Sequence, residues 1–290
     1  MKFLFWSDLH CEVAPFEIPV PACQPGATPG APARRDIDAI LLGGDTHTKG
    51  QHLAVALMAW DLWRCPVLWV WGNHESYGSR FQKLFRQEAE RVEEVRMLGA
   101  DLRPLHGDVT RIGDARIIGA TLWTDFALWQ GQELQARMTA QDTMNDYRKV
   151  QWHDEKRGIY RRMIPGDTAT MHRRERQFIL ETLAQPHDGP TVVMTHHLPV
   201  PELLEARYRD RRDLITAAYA SDLRADLQDM DFDIWLSGHS HSATEVTLDI
   251  GSGPRYFACN QRGYPGSETA FDPLRVFTVG APDPEPGMRP

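Results

Sequence analysis

The chain has 290 residues, of which 42% are hydrophobic and 25% are charged, and its formal net charge is -8 at pH 7. This globular composition disfavours a disordered chain and a membrane protein, and no apolar run in the sequence approaches the ~20 residues that a membrane span needs. The negative charge also disfavours stable binding of long nucleic acid, which relies on a basic surface.

The N-terminal residues MKFLFWSDLH predict a first strand. Their apolar run has only four residues, which is too short for a signal peptide. The cysteines lie far apart and lack CxxC spacing, so the sequence predicts neither a zinc knuckle nor a disulfide framework. We therefore expect a cytoplasmic protein.

Apolar runs alternate with one helical stretch in the first third of the chain. FLFWS (3–7), AILLGG (39–44) and PVLWVWG (66–72) predict strands, and residues 51–63 predict a helix. Continuous apolar strands of this kind are typical of a parallel sheet that is covered on both faces. Between the first two strands, residues 12–35 are rich in Pro, Gly and Ala and predict a long loop.

Six further runs predict strands in the remainder of the chain. They are RIIGATLW (116–123), TVVMTHH (191–197), DIWLSGHSH (233–241), ATEVTLDI (243–250), RYFACN (255–260) and LRVFTVG (274–280). Because the last four leave no room for helices, we expect a more antiparallel second sheet. The predicted fold class is α/β, with two packed mixed β-sheets flanked by helices in a four-layer α/β/β/α sandwich.

We expect a single domain over residues 1–280. Residues 125–175 are polar and Arg-rich and predict a mostly helical insert between strands. This insert and the loop at 12–35 either shape a substrate cleft or are surface excursions. Residues 281–290, APDPEPGMRP, predict a disordered tail.

Five polar clusters each follow one of the predicted strands. They are Asp8 with His10, then Asp45, then Asn73 with His74, then His196 with His197, and finally His239 with His241. Because the carboxyl ends of strands in an α/β sheet face a common crevice, we expect these clusters to converge. Any single cluster is more typical of a core histidine or a helix-capping aspartate, but all five in this order indicate a metal site.

The number and type of these side chains favour two metal ions over one. Two carboxylates, an amide oxygen and several imidazoles exceed the ligands that one ion takes, and Asp45 is the candidate bridging carboxylate. Alternate spacing in Asp8-Leu9-His10 and in His239-Ser240-His241 places both ligands of each pair on the same side of an extended chain.

These motifs resemble those of the calcineurin-like metallophosphoesterases. The family pattern appears here as DLH (8–10), GD (44–45), GNHE (72–75), THH (195–197) and GHSH (238–241), so the resemblance spans residues 1 to about 260. The resemblance implies that one metal ion is held by Asp8, His10, Asp45 and His241. It implies that the second metal ion is held by Asp45, Asn73, His196 and His239.

The resemblance also implies the chemistry. A hydroxide held between the two metals attacks phosphorus in line, and His74 assists as proton donor or electrostatic stabiliser. Oxygen and nitrogen ligands without thiolate allow Mn, Fe, Zn or Co. His74 and Asp45 are thus the implied catalytic residues, and Glu75 is interpreted as a brace for its loop. Ser/Thr protein phosphatases continue G-D with D-R-G, whereas this chain reads GDTHTKG (44–50), so protein phosphatase activity is disfavoured.

A second resemblance, to a bacterial subgroup with TLWTDF and N-P-R-G-Y-P motifs, lies outside the metal motifs. The corresponding segments here are ATLWTD (120–125), MNDY (144–147) and NQRGYPG (260–266), with Gln261 in place of the proline. Arg262 and Tyr264 either contact substrate or belong to a structural turn. His197 is likewise a candidate substrate contact or a supporting residue.

The expected activity is metal-dependent phosphoester hydrolysis. A phosphodiesterase acting on a small, possibly nucleotide-like substrate is preferred, and the alternatives are a phosphomonoesterase, a nuclease or a non-catalytic binding module. The Arg-rich stretches at 157–162, 173–176 and 207–212 either steer a phosphate ester or form ion-paired helix surfaces. The oligomeric state is not predicted.

Overall fold

Two mixed β-sheets lie at the centre of the structure, a computed structural model that describes residues 1–251 and 253–280. In spatial order, the first sheet contains β13 (Val276–Thr278), β1 (Lys2–Trp6), β2 (Ala39–Leu42), β3 (Val67–Trp69) and β4 (Leu102–Pro104). Strands β1 to β4 run parallel, and β13 pairs antiparallel with β1 at the edge. The parallel arrangement predicted for the first three strands is confirmed.

The second sheet has four parallel strands between two antiparallel edges. In spatial order, it contains β11 (Glu245–Asp249), β12 (Pro254–Cys259), β10 (Ile234–Ser237), β9 (Thr191–Thr195), β6 (Ala115–Ala120) and β5 (Asp108–Ile112). Only β11 and β5 pair antiparallel with their neighbours. The last four strands do not form the expected antiparallel unit, because β11 takes the outer edge, β12 joins β10 in parallel, and β13 joins the other sheet.

The two sheets pack face to face through alternate residues of their strands. In β1, Phe3 and Phe5 point into the core between the sheets, where they meet Met194 of β9 and Leu236 of β10. Side chains alternate across a strand, so Leu4 and Trp6 point to the outer face. All of these side chains are buried, and each stabilises the fold by roughly 1.5–3 kcal/mol through removal of apolar surface from water.

Helices cover the outer face of each sheet. The apolar cluster outside the first sheet contains residues of α1 (His52–Trp63) and α2 (Phe81–Met97), and the cluster outside the second sheet contains residues of α5 (Pro165–Leu183). The order of layers is therefore helix, sheet, sheet, helix. The predicted α/β class and four-layer sandwich are confirmed.

The segment predicted as a helical insert contains both helices and a hairpin. It holds α3 (Glu133–Thr143), α4 (Asp146–Lys149), the antiparallel strands β7 (Gln151–Asp154) and β8 (Ile159–Arg162), and the first part of α5. A separate apolar cluster joins this segment to Tyr77 and to the short helical turn at Leu214–Ala218. The insert therefore packs beside the carboxyl ends of the strands.

The loop at residues 12–35 is packed against the first sheet. Trp63 donates a hydrogen bond to the carbonyl of Pro19 at 3.0 Å, and Phe16 contacts the ring of Trp6. Residues 281–290, for which we expect a disordered tail, lie outside the described residues. Among the helices in the described residues, none has the length and hydropathy that a membrane-spanning segment requires.

Candidate metal centre

The predicted ligands lie in turns that follow strands β1, β2, β3, β9 and β10. Five of these ligands have left-handed backbone conformations, with φ values of 53° at Asp8, 44° at His10, 52° at Asp45, 75° at His239 and 52° at His241. Non-glycine residues rarely adopt this region, and each instance costs ~1–3 kcal/mol. Strain that recurs in one group of turns indicates a functional site, because the surrounding fold must maintain it.

The first ligand cluster contains Asp8, His10 and His241. The Nε2 atoms of the two histidines lie 2.9 Å apart, and His241 Nε2 lies 3.3 Å from Asp8 Oδ1. Asp8 is fixed by hydrogen bonds from Ser7 Oγ at 2.6 Å and from the backbone N–H of His239 at 3.0 Å. Burial alone would raise the pKa of Asp8, but the hydrogen bond with His241 and the neighbouring imidazoles hold it below its usual range.

The second ligand cluster contains Asp45, Asn73, His196 and His239. His196 Nε2 lies 3.1 Å from Asn73 Oδ1, 3.2 Å from His239 Nδ1 and 3.5 Å from Asp45 Oδ1. All four side chains are almost completely buried. The sequence clusters that contain these residues therefore converge as predicted.

The hydrogen bonds around the second cluster favour a cation at its centre. His196 Nδ1 donates to the carbonyl of Gly43 at 2.8 Å, so a neutral His196 carries a lone pair on Nε2. Asn73 Nδ2 donates to the Tyr77 hydroxyl at 2.9 Å, which turns Asn73 Oδ1 toward that lone pair. Two acceptors that face one another in a buried site repel unless a cation lies between them, so these residues fit a metal ion.

Asp45 lies between the two clusters. Its Oδ1 faces His196 of the second cluster at 3.5 Å, and its Oδ2 faces His10 of the first cluster at 3.9 Å. Oδ1 also accepts the backbone N–H of His74 at 2.8 Å. One carboxylate oxygen thus faces each cluster, which is the arrangement that a bridging ligand requires.

Glu75 holds the turns that carry these ligands. It accepts backbone hydrogen bonds from Asp45 at 3.1 Å, Thr46 at 2.8 Å and Gly72 at 2.7 Å. Burial and the charge of Asp45 raise its pKa. Gly72 is required here because an added Cβ would collide with Asp45 Oδ1. The interpretation of Glu75 as a brace agrees with these contacts.

His74 lies at the edge of the metal site and is oriented by Glu12. Its Nδ1 donates to Glu12 Oε1 at 2.9 Å, and its Nε2 lies 3.3 Å from the Tyr264 hydroxyl and 3.9 Å from Asp45 Oδ2. Burial alone would lower the pKa of His74, but the charges of Asp45 and Glu12 raise it to about 9. The ring is therefore held with Nε2 beside the Tyr264 hydroxyl at the cavity wall.

Glu12 is a site residue that the sequence analysis did not identify. The same Oε1 atom also accepts from His10 Nδ1 at 3.3 Å, so one carboxylate orients a predicted ligand and the predicted proton donor. The signal in the sequence is the alternate spacing of Asp8, His10 and Glu12. Glu12 is also the first residue of the predicted loop at 12–35.

The three predicted substrate contacts have different positions. Tyr264 lines the cavity beside the site, and its ring stacks on His10 with centroids 4.4 Å apart. The guanidinium of Arg262 instead donates to the carbonyls of Leu9 at 2.7 Å and Ala14 at 2.9 Å, and thereby holds the turn that carries Glu12. These contacts of Arg262 agree with the alternative that it belongs to a structural turn.

The position of His197 likewise agrees with the alternative that it is a supporting residue rather than a substrate contact. It is 2% exposed and does not line the cavity described below. Its ring lies 5.0 Å from that of Trp123 and 4.3 Å from that of His239, so it packs behind a predicted ligand. Burial and the neighbouring His196 hold its pKa well below the usual value.

Gln261, the departure from the subgroup motif, supports the GHSH turn. Its side-chain oxygen accepts the backbone N–H of His241, and its side-chain nitrogen donates to Ser240 Oγ at 3.0 Å. A proline at this position would lack both hydrogen bonds. Gln261 is therefore a second positioning residue that the sequence analysis did not identify.

The Arg-rich stretches contain ion pairs with neighbouring carboxylates. The pairs are Arg161 with Asp167, Arg176 with Asp226 and Arg207 with Glu205. Of the three stretches, only 207–212 contributes residues to the cavity wall. These ion pairs favour the interpretation of the stretches as ion-paired surfaces over a role in steering a phosphate ester.

A cavity of about 910 Å³ extends from the metal site. Predicted site residues line part of it, among them Asp45, Asn73 and His74. Its walls also come from residues 143–145 of the insert, from Leu204, Glu205, Arg207 and Tyr208 around the start of α6 (Ala206–Arg211), and from Ile215, Thr216 and Tyr219. A cavity of this size holds a complete small organic ligand and not only a phosphoryl group.

Comparisons with known proteins agree with this architecture. The family model described as calcineurin-like phosphoesterase matches residues 1–243. No curated protein matches the chain. Among solved structures, phosphopantetheinyl hydrolase (PptH) from Mycobacterium tuberculosis is 18% identical, with a TM-score of 0.63 over 99% of this chain and 98% of that chain. A dimetal phosphatase from Danio rerio is 12% identical, with a TM-score of 0.47 over 89% and 86%.

The family match includes every predicted metal ligand, from Asp8 to His241. The likeness to the hydrolase PptH, at this level of identity, supports the fold alone. The resemblance noted from the motifs is confirmed. The chain belongs to the calcineurin-like phosphoesterases, a family of metal-dependent hydrolases.

Proposed function

We propose that this chain is a binuclear metal-dependent phosphodiesterase that acts on small phosphodiesters. The observation that supports this proposal most directly is the position of Asp45. It presents one carboxylate oxygen to each of two ligand clusters, at the base of a cavity of about 910 Å³. Two adjacent metal ions are the arrangement that stabilises both the attacking and the leaving oxygen of a phosphoryl transfer.

The residues that would hold the metals are those predicted from the motifs. Asp8, His10, Asp45 and His241 would hold one ion, and Asp45, Asn73, His196 and His239 would hold the other. Oxygen and nitrogen ligands without thiolate suit Mn, Fe, Zn or Co. When bound, the pair supplies Lewis-acid stabilisation of the phosphoryl oxygens and activation of water.

His74 is the proton donor in this proposal. Its Nδ1–H is held by Glu12, so a protonated ring presents its second N–H, at Nε2, to the cavity. The leaving oxygen of the ester takes this proton as the bond to phosphorus breaks. Glu12 supports the step because its negative charge stabilises the protonated ring in which His74 acts.

The charges around the cavity favour a diester over a monoester. A monoester carries a second negative charge, which beyond the two metal ions and a protonated His74 a further cation would have to neutralise. Among the described lining residues, Arg207 is the only arginine or lysine, and Glu205 already pairs with it at 2.7 Å. A nuclease acting on long nucleic acid is less favoured for the same reason, since such substrates require basic surface.

Hydrolysis assays with matched substrates test this proposal. Chelator-stripped protein is reloaded with Mn and assayed on a p-nitrophenyl diester and on the matched monoester, with Asp45→Asn as the blank. A phosphopantetheinyl ester belongs in the panel because a similar structure is named phosphopantetheinyl hydrolase. Diester turnover above the blank supports the proposal. Turnover of the monoester alone would indicate a phosphomonoesterase, and no turnover would indicate a binding module.

A further inference from the structure

The part of the cavity wall formed by residues 143–145 and 204–219, here called the distal end, contains several apolar side chains beside polar ones. Its apolar lining residues are Met144, Leu204, Tyr208, Ile215 and Tyr219. The ring of Tyr219 lies 4.5 Å from the ring of His239, a predicted metal ligand, so this wall begins directly beside the second cluster. A group bonded to a phosphorus at the metal site would therefore extend along this wall.

One polar group of this wall, the hydroxyl of Thr216, is already paired within the protein. Thr216 Oγ donates to the carbonyl of Asp213 at 2.6 Å and accepts the indole N–H of Trp129 at 3.1 Å. The Thr216 hydroxyl thus both donates and accepts a hydrogen bond within the protein. The wall consequently presents little unmet hydrogen-bonding capacity at this residue.

The charges at the distal end do not favour an anion. Glu205 binds one edge of the Arg207 guanidinium, with Nε to Oε2 at 2.7 Å and Nη2 to Oε1 at 3.1 Å. Glu268 also lines the cavity. Glu205 therefore balances the single guanidinium of this part of the lining. A second phosphate or a carboxylate on the substrate would meet no net positive charge here.

We propose that the distal end is a subsite for an uncharged, mainly apolar arm of the diester substrate. This inference rests on the proposed phosphodiesterase function and adds the chemical class of the arm that is not the leaving group. Tyr208 and Tyr219 supply aromatic surface for the arm, and the paired Glu205 and Arg207 offer no net positive charge to a second anionic group. Burial of apolar surface of the arm favours binding.

Three p-nitrophenyl diesters with one leaving group and different second arms test the subsite. The arms are ethyl, naphthylmethyl, and naphthylmethyl with a carboxylate. Because the wall buries the larger uncharged arm, kcat/KM for the naphthylmethyl diester is expected to exceed that for the ethyl diester by at least about tenfold. The carboxylate should reduce kcat/KM below that of the uncharged naphthylmethyl diester. Equal values for ethyl and naphthylmethyl, or a preference for the carboxylate, would overturn the proposal.

Two variants identify the residues responsible. In Tyr208→Ala, the ratio of kcat/KM for naphthylmethyl to that for ethyl should fall toward one. Tyr160→Ala is the matched control, because Tyr160 is a similarly exposed tyrosine on β8 that does not line the cavity, and it should leave the ratio unchanged. Glu205→Gln frees Arg207 and should raise the relative kcat/KM of the carboxylate-bearing diester. An unchanged ratio in Tyr208→Ala would contradict the assignment.

A binding measurement separates the subsite from the proposed reaction. Calorimetric titration of Mn-reloaded protein uses ethyl and naphthylmethyl phosphonates, which are not hydrolysed. Because both carry the same phosphonate group, the difference between their affinities reports on the distal end. If no diester is turned over above the Asp45→Asn blank, the proposed function fails. The subsite is then retained only if the naphthylmethyl phosphonate binds more tightly than the ethyl phosphonate and Tyr208→Ala removes the difference. Equal affinities would overturn the subsite even if diesters are hydrolysed.

Discussion

At the scale of single residues, carboxylates that do not ligate metal determine the geometry of the site. Glu75 accepts three backbone N–H groups from the turns that carry Asp45 and Asn73. Glu12 accepts from the Nδ1 atoms of His10 and His74. Such supporting groups fix the tautomer and the orientation of the imidazoles they contact, so their loss affects the site without removing a ligand.

The role of His74 as proton donor predicts a separation of turnover from metal binding. His74→Asn removes the donor but leaves every predicted metal ligand in place. We expect turnover of the diester to fall by about 10²–10⁴-fold while bound metal stays nearly unchanged. Metal analysis and steady-state kinetics on the same preparation test this. Full activity in the variant would exclude the assigned role.

Glu12→Gln should affect esters according to their leaving group. Removing the carboxylate weakens the support for a protonated His74, and an alkoxide needs a proton at departure far more than p-nitrophenolate does. At saturating Mn, we expect kcat for an alkyl ester to fall at least about tenfold more than kcat for the p-nitrophenyl ester. Equal losses for both esters would show that Glu12 acts only through the metal ligand His10.

At the scale of elements, a buried carboxylate joins α1, α2 and β3. Glu88 of α2 accepts from His52 of α1 at 2.7 Å, from Trp69 of β3 at 3.1 Å, from His106 at 2.8 Å and from the indole of Trp71. Burial alone would raise the pKa of Glu88, but the adjacent histidines hold it below its usual range. The network fixes both helices against the strand that leads to Asn73 and His74.

Glu88→Ala should therefore destabilise the fold strongly. The change leaves two indole N–H groups and a buried His52 without their acceptor, and removal of one member of a buried ion pair costs ~3–5 kcal/mol. Denaturant unfolding measures the difference in the free energy of unfolding. Glu94→Ala, an exposed site on the same helix, is the control and should change it by less than ~0.5 kcal/mol. A similar small effect in both variants would contradict the prediction.

The same network predicts the pH dependence of stability. Glu88 has a lowered pKa in the fold, so its contribution is present above its unfolded pKa, near 4.5, and is lost as the pH falls. His52 has a raised pKa, so its contribution is present below its unfolded pKa, near 6.5, and is lost as the pH rises through the folded value. The difference between the original chain and Glu88→Ala should be largest between these two values. Unfolding curves measured from pH 4 to pH 9 test this, and a difference that does not vary with pH would contradict it.

At the scale of the whole molecule, residues far apart in the sequence converge because strand order and strand direction bring the ends of two sheets together. The predicted ligands could be found in the sequence because each directly follows an apolar strand in a recognisable motif. Gln261 could not, and Glu12 had only its alternate spacing after Asp8 and His10 as a signal, because their partners, His241 and His74, lie 20 and 62 residues away and only the fold brings them into contact. The positions of β11 and β13 were also missed, since spacing does not determine which strands become neighbours.

Removal of metal should lower the stability of the whole chain. The left-handed turns at the ligands and the facing acceptors of His196 and Asn73 are unfavourable without a cation. A ligand that binds only the folded state stabilises it by about 2.7 kcal/mol at a concentration of 100 times its Kd. Calorimetric scans should therefore show a lower Tm after chelation, with recovery on addition of Mn. Identical Tm values would contradict a metal site built into the fold.

The count of metal ions bound per chain tests the central claim most directly. Protein stripped by a chelator, reloaded with Mn and freed of excess metal is analysed for Mn and protein concentration, beside Asp45→Asn treated in the same way. Because Asp45 faces both clusters, we predict two ions per chain in the unaltered protein and the loss of at least one in the variant. One ion per chain in the unaltered protein, or two in Asp45→Asn, would contradict a binuclear centre bridged by Asp45.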